Sequence, residues 1–311
     1  MRRIAVLGGV FILLLLVLVL QRAQRGKVVV SGPAETVAVN PDQVTRVRVH
    51  KTDGDVELVK SGSDWRLTKP VDYPANQDMI TTMLKSVEEL KLVDVISTNP
   101  ATRSTYQVDS TGTEVEIWAG DKQVMGLIIG KSSADWTHTF VRRKDGKEVF
   151  RAEGVIAYNF NRRPEDWRDK SILKLDEPTV TRVALEYPKE RVQLTLVRAD
   201  STHWNLEVPG KGTEPADSTV AARLVQGAAK LSTVNFATDA EAAGKDFASA
   251  DLRLAVTAGA TTHRVDFIAV DEAKMLARRD GNATLFSLYK SNLGNLMKKP
   301  DDLRKKPAVK S

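Results

Sequence analysis

Val44-Thr45-Arg46-Val47 returns letter for letter as Val180-Thr181-Arg182-Val183, 136 residues further on. Working outward, Trp65-Arg66-Leu67 with Pro70 behind it returns as Trp204-Asn205-Leu206 with Pro209. The helical pattern that follows keeps one constant offset: Met79, Met83, Leu84, Val87 and Leu90 align with Val220, Leu224, Val225, Ala228 and Leu231. At 3.6 residues per turn these positions share one helix face. A repeat of this length means that the chain folds as two similar bodies, and it governs every other reading of the sequence.

Each copy reads in the same order. In the first, Val44 to Val49 and Val56 to Val59 are strands flanking an Asp53-Gly54 turn, and Trp65 to Leu67 is a third strand closed by Pro70. Asn76 then stands where a helix N-cap is wanted, as Asp217 does in the second copy. The helix exits into extended Val93 to Ile96, matched by Val234 to Ala237. Paired strands follow around Ala119-Gly120-Asp121 and Gly259, then around Asp145-Gly146 and Asp280-Gly281. Each copy closes on a short helical piece, with Trp167-Arg168-Asp169-Lys170 ending the first. The expected fold class is therefore α+β, with two tandem repeats of antiparallel strands plus an amphipathic helix behind one N-terminal transmembrane helix. The expected boundaries are an anchor over 1–27, a stalk over 28–41, repeats over 42–172 and 177–306, and a disordered tail over 307–311.

The anchor rests on Ile4 to Leu20, with Phe11 near its middle: seventeen residues without a charge, at the short end of what spans a hydrocarbon core of about 30 Å. Flanking arginines can snorkel to complete the span. Gln21-Arg22-Ala23-Gln24-Arg25 offers no small-x-small cleavage site, which argues for retention over removal as a signal peptide. Arg2 and Arg3 nearly balance Arg22, Arg25 and Lys27, so loop charge alone does not orient the span; a very short N-terminus left in the cytosol places the body outside.

Of the net charge of +6, residues 1–27 carry +5 and the tail from Lys298 carries +4, which leaves the body at −3. A slightly acidic body argues against a nucleic-acid-binding domain, whose basic face should lie on the fold itself. The 311 residues contain no cysteine, so disulfides, thiolate metal sites and cysteine nucleophiles are excluded.

No motif for chemistry survives inspection. Gly126-Leu127-Ile128-Ile129-Gly130-Lys131-Ser132 has three residues between its glycines where a phosphate-binding loop needs four, so no nucleotide is expected. Ser171 to Lys174 and Ser287 to Lys290 fit Ser-x-x-Lys but lack the partner motifs of that chemistry. His50, His138, His203 and His263 stand singly, away from metal-ligand spacings. Catalytic, cofactor and metal residues are accordingly none. Trp65 and Trp204 alternate with Leu67 and Leu206 and read as core. Trp136, between Asp135 and His138 in a polar stretch, reads as exposed. The second helix carries Ala221, Ala222, Ala228 and Ala229, a small-residue face expected to dock against the first copy or a partner.

The order Trp-x-Leu near a proline, a proline-led amphipathic helix, and a β region ending in Trp167-Arg168-Asp169-Lys170 resembles the bacterial family catalogued as domain of unknown function 4340. One departure is Tyr106-Gln107-Val108, where such sequences commonly show Tyr-Gly-Leu; the second copy has Gly244-Lys245-Asp246-Phe247. The resemblance implies an inner-membrane protein with one span and an extracytoplasmic body, a non-catalytic accessory or binding component beside an ABC-type transport system of the gliding-motility kind. Its implied partners are the lipid bilayer and transporter subunits, with no nucleic acid and no nucleotide. A periplasmic ligand- or glycan-binding module is the alternative, and an envelope hydrolase a second.

Overall fold

The computed structural model describes Leu16, residues 35–52 and residues 54–305. The proposed span Ile4 to Leu20, apart from Leu16, which is helical, lies outside the described residues, as do Asp53 and the tail from Lys306. Among the described residues no helix is long and apolar enough to cross a membrane. The chain divides into two compact units between Asp169 and Lys170.

Unit 1 contains β1 (Glu35–Thr36), β2 (Arg46–Lys51), β3 (Gly54–Ser61), β4 (Asp64–Lys69) and β5 (Tyr73–Pro74), then α1 (Gln77–Glu88), β6 (Lys91–Ser97) and the single turn α2 (Arg103–Tyr106). It continues with β7 (Thr113–Ala119), β8 (Lys122–Ser132), β9 (His138–Arg143), β10 (Val149–Glu153) and α3 (Ala157–Phe160). Its sheet runs β1-β6-β10-β9-β8-β7-β2-β3-β4-β5, antiparallel at every pairing.

Unit 2 contains β11 (Val180–Tyr187), β12 (Val192–Arg198), β13 (Trp204–Val208), β14 (Gly212–Pro215), α4 (Ser218–Ala229), β15 (Asn235–Phe236) and α5 (Asp239–Ala242). The unit ends with β16 (Leu252–Ala258), β17 (Thr261–Ala269), β18 (Lys274–Arg279) and β19 (Leu285–Tyr289). Read from one edge, its sheet is β15-β19-β18-β17-β16-β11-β12-β13-β14. This is the order of unit 1 from β6 to β5, strand for strand. In both, the first long strand (β2 or β11) sits centrally, paired with its own hairpin partner and with the first strand after the helix.

The helices start where their caps require. The Asn76 side chain accepts from the Met79 amide at 3.1 Å, and that of Asp217 from Thr219 and Val220, so both satisfy amides that have no partner within the helix. The packed face of α1 is Ile80, Met83, Leu84 and Val87, and that of α4 is Ala221, Leu224, Val225 and Ala228. Each set follows the i, i+3, i+4, i+7 rule. The first packs with Val47, Val49, Val115 and Ile117, the second with Val183, Leu185, Leu254 and Val256. Met79 and Val220, taken from the sequence as face positions, are only half-buried because the face is centred one residue later. The same rotation corrects the expected alanine docking face: Ala221, Ala228 and Ala229 are buried in their own unit's core, and only Ala222 is exposed.

The boundaries also shift toward the N-terminus. Residues 35–41 fall within the expected stalk, yet Glu35–Thr36 forms β1, and Val37 and Val39 are buried in the first core. The Val37 amide donates to the Leu90 carbonyl at 3.1 Å, and the Ile172 amide donates to Leu231, the counterpart of Leu90, at 2.8 Å. Ile172 and Leu173 pack in the second core, so residues 170–172, expected to close the first repeat, open the second.

Candidate functional site

The hairpin between β8 and β9 extends past its last pairing, Ser132 with Thr139, into a braced tip. The Ser133 amide donates to the His138 carbonyl at 2.9 Å, and the His138 amide donates to the Ser133 hydroxyl oxygen at 3.0 Å. Asp135 accepts from the Ser133 hydroxyl at 2.5 Å and from the Thr137 amide at 3.2 Å. These bonds, the Ser133 hydroxyl first and Thr137 next, hold the Asp135 carboxyl down to about 2, well below its usual range. At the tip Trp136 takes a left-handed backbone, φ 57°, and is 73 % exposed, as its polar setting in the sequence implies. A bulky residue seldom adopts that conformation unless its surroundings impose it.

The tip is stitched to the segment that leads into α3. The Gly154 amide donates to the Thr137 carbonyl at 2.9 Å, while the fully buried Thr139 hydroxyl donates to the Gly154 carbonyl and accepts from the Ile156 amide. On α3, Tyr158 is 60 % exposed.

A pocket of about 230 Å³ opens beside α3. Ala157 and Asn161 line it on that side, and Gly112, Thr113, Ile129 and Gly130 line it along β7 and β8. Lys51, Thr52, Gln107 and Thr111 complete the wall. The two glycines are required: a Cβ on Gly130 would lie 2.1 Å from the Tyr106 carbonyl oxygen, and one on Gly112 would lie 2.4 Å from that of Gln107. The turn after α2 therefore packs straight onto these two backbones. That turn is left-handed at Gln107, φ 55°. Glycine is the residue expected there, and unit 2 uses Gly244, φ 69°, just after α5.

A second cluster lies on strands β2, β3 and β7. The Arg46 and Arg48 guanidinium groups stand 4.3 and 5.5 Å from the ring centroid of Trp118. Arg48 also reaches Glu57 at 3.2 Å and Glu116 at 3.7 Å, and the Lys144 ammonium lies 2.5 Å from Glu114 and 2.6 Å from Glu116. Hydrogen bonds to Glu114 and then Glu116 hold the lysine's pKa above its ordinary value. Every carboxylate here is paired, so the cluster can neutralise buried charge but has no acid or base poised for proton transfer. Strand register puts Ala184, Thr195 and Ala255 of unit 2 where unit 1 has Arg48, Glu57 and Glu116.

The residues singled out in the sequence are structural. Trp65, Trp167 and Trp204 are buried. The Gln77 amide spans Trp65, accepting from its backbone N–H at 2.8 Å and donating to its carbonyl at 3.0 Å. Pro70 follows a cis peptide bond, and Pro209 is exposed at the end of β13. Arg168 lies 4.1 Å from the Tyr73 ring, and its backbone bridges Ala75. The Asp169 amide donates to the Pro74 carbonyl at 2.8 Å, while the Lys170 carbonyl accepts from Thr233 in unit 2. Gly126 and Gly130 lie within strand β8. His50 pairs with Asp55, His203 with Asp200, and His138 with the neighbouring Thr137 hydroxyl. Among the described residues no group of three His, Asp or Glu side chains is placed to hold a metal ion. The sequence singled out Gln107 only as a departure from the family pattern, whereas the structure places it in the wall of the pocket. A non-glycine at a glycine position was the available signal.

The model of the domain of unknown function DUF4340 matches residues 65–248, from the second residue of β4 to the loop after α5. The chain belongs to the DUF4340 family. The match spans the Asp169–Lys170 division, so what defines a DUF4340 protein includes parts of both units. No curated protein and no solved structure matches this DUF4340 chain.

Proposed function

We propose that the chain is a single-span envelope protein, anchored by Ile4 to Leu20, whose extracytoplasmic body is a non-catalytic binding component accessory to an ABC-type transport system. The family resemblance supports the setting, which is an analogy of kind. The observation that carries the binding role is Trp136. A large aromatic held 73 % exposed on a tip braced by Ser133, Asp135 and Thr137 loses little freedom on association, and tryptophan anchors of this sort dominate protein interfaces. Unit 2 spends its corresponding hairpin on Asp271, which caps the turn through the Ala273 and Lys274 amides and presents no aromatic.

A photo-crosslinking residue at position 136, activated in growing cells, tests the reading. The expected product is a covalent adduct with a transporter membrane subunit, absent when the same group replaces Tyr289 in unit 2. Adducts only with unrelated abundant proteins, or equal products from both sites, would remove it. The address is tested separately by a C-terminal reporter active only outside the cytosol, which should give signal in the carbonate-washed membrane pellet.

A further inference from the structure

Thr139 shares with Val141 the face of β9 that packs into the first core, and it is fully buried. A hydroxyl taken out of water at such a place is costly unless it is hydrogen-bonded. Here both of its roles are filled: it donates to the Gly154 carbonyl at 2.9 Å and accepts from the Ile156 amide at 3.1 Å. Strand register gives the same place in unit 2 to Met275, which pairs with Leu288 as Thr139 pairs with Ala152. Met275 is buried in the second core and has no hydroxyl to satisfy. The fold of a unit therefore does not need a polar group at this position, and what Thr139 adds belongs to what differs between the units, the hairpin it adjoins.

The backbone closure beneath that hairpin is common to both units. The Gly154 amide donates to the Thr137 carbonyl at 2.9 Å, and the Lys290 amide donates to the Ala273 carbonyl at 2.8 Å. In unit 1 the donating residue is held at its other end as well. Gly154 gives its N–H to Thr137 and receives the Thr139 hydroxyl at its C=O, so one residue is clamped between two positions of the strand that carries the tip. Its φ of 80° is open to glycine and to few other residues. Thr137 is in turn the neighbour of Trp136 and donates its amide to Asp135 at 3.2 Å. The clamp thus reaches from a buried hydroxyl to the residue beside the exposed indole, and the unit that has Met275 instead presents no aromatic there.

We propose that Thr139 is the positioning residue of the Trp136 tip: its hydroxyl fixes the Gly154 peptide, which fixes Thr137 and presents the indole in one place. The proposal rests on the reading of Trp136 as a binding anchor, and it identifies the group that keeps the ordering cost of association low.

Hydrogen exchange on the full-length protein in lipid nanodiscs tests the positioning without a partner. T139V keeps the shape of the side chain and removes the hydroxyl. The Gly154 amide should then exchange at least about tenfold faster, the scale set by one lost hydrogen bond, while the Val141 amide on the same strand is unchanged. T139S returns the hydroxyl but leaves out a methyl group, so it should restore slow exchange at Gly154 although it packs the core less well. In growing cells, the adduct formed by the photo-crosslinking residue at position 136 should fall in T139V and recover in T139S; a residue that served packing alone would give the opposite order. Unchanged exchange at Gly154 in T139V overturns the proposal, as does a T139V protein that releases Gly154 yet forms the adduct in parental yield. A parent that forms no adduct removes the binding reading, and the exchange at Gly154 still decides the positioning.

Discussion

The Trp167 carbonyl accepts a hydrogen bond from the Asn76 amide at 2.8 Å, which ties the last turn of unit 1 to the cap of its helix. Unit 2 repeats the closure: the Leu303 carbonyl accepts from Asp217 at 2.7 Å, and Ala216 bridges Arg304 as Ala75 bridges Arg168. Each unit is thus closed by side chains as well as backbone, since Trp167 and Leu303 are fully buried. Trp167→Ala should cost about 3–5 kcal/mol and Leu303→Ala about 2–5 kcal/mol, the ranges for emptying packed aromatic and aliphatic sites. Urea denaturation should show the loss in one of two transitions, a different one for each variant. Loss spread equally over both would mean that the units do not unfold separately.

The turn after α2 predicts two substitutions of opposite sign. Gln107→Gly should stabilise unit 1 by up to about 1 kcal/mol, because the relief of a left-handed backbone, about 1–2 kcal/mol, is partly offset by the freer unfolded chain. Gly130→Ala should destabilise it by about 1–3 kcal/mol or more, as overpacking against the Tyr106 carbonyl demands. Thermal unfolding monitors both, and a neutral Gly130→Ala would contradict the close approach.

Arg142 is buried, with its Nε donating to the Val108 carbonyl at 2.9 Å and its Nη1 to those of Arg143, Lys144 and Gly146 at 2.8–3.0 Å. Burial first, and then the neighbouring Arg103, lower its pKa from the usual guanidinium range. Arg142→Met should cost about 2–3 kcal/mol, since hydrogen bonds to a charged donor are the stronger ones and several carbonyls lose theirs together. Arg278, its counterpart by strand register, is exposed and lies 4.5 Å from the Phe247 ring; Arg278→Met should cost no more than about 1 kcal/mol. Equal costs would show that the buried network contributes nothing.

How far the sequence could be read follows from which forces repeat. Asn76, Asp217 and the two helices were legible because capping and 3.6-residue periodicity are local. That unit 1 already includes Glu35 to Val39, and that unit 2 opens at Lys170, was not. Val37, Val39, Ile172 and Leu173 are short apolar stretches whose partners, Leu90 and Leu231, lie more than fifty residues away in sequence, and no periodicity marks so brief a contact. The ion cluster of Arg48, Glu57 and Glu116 depends on cross-strand register, which a sequence pattern leaves open until the strand order is known. The pocket was hidden for the same reason: Gln107, Thr113 and Asn161 meet only because α2, β7 and α3 do.

The Trp136 tip should loosen in acid, and the direction follows from Asp135. Its carboxyl is held at about 2 in the folded chain, against an ordinary value of 3.8, by the Ser133 hydroxyl and Thr137. A depressed carboxylate contributes its stabilisation fully above the unfolded value, and that contribution is lost as pH falls from about 3.8 through about 2. The indole N–H resonance of Trp136 should therefore stay fixed above pH 4 and shift between pH 4 and 2, while that of buried Trp167 still reports an intact core. Asp135→Asn keeps an oxygen that accepts from Ser133 and Thr137 but removes the charge, so the acid shift should vanish with the tip's exposure unchanged. A Trp136 resonance that titrates near the ordinary carboxylate value in the folded protein would show that these hydrogen bonds do not hold the tip.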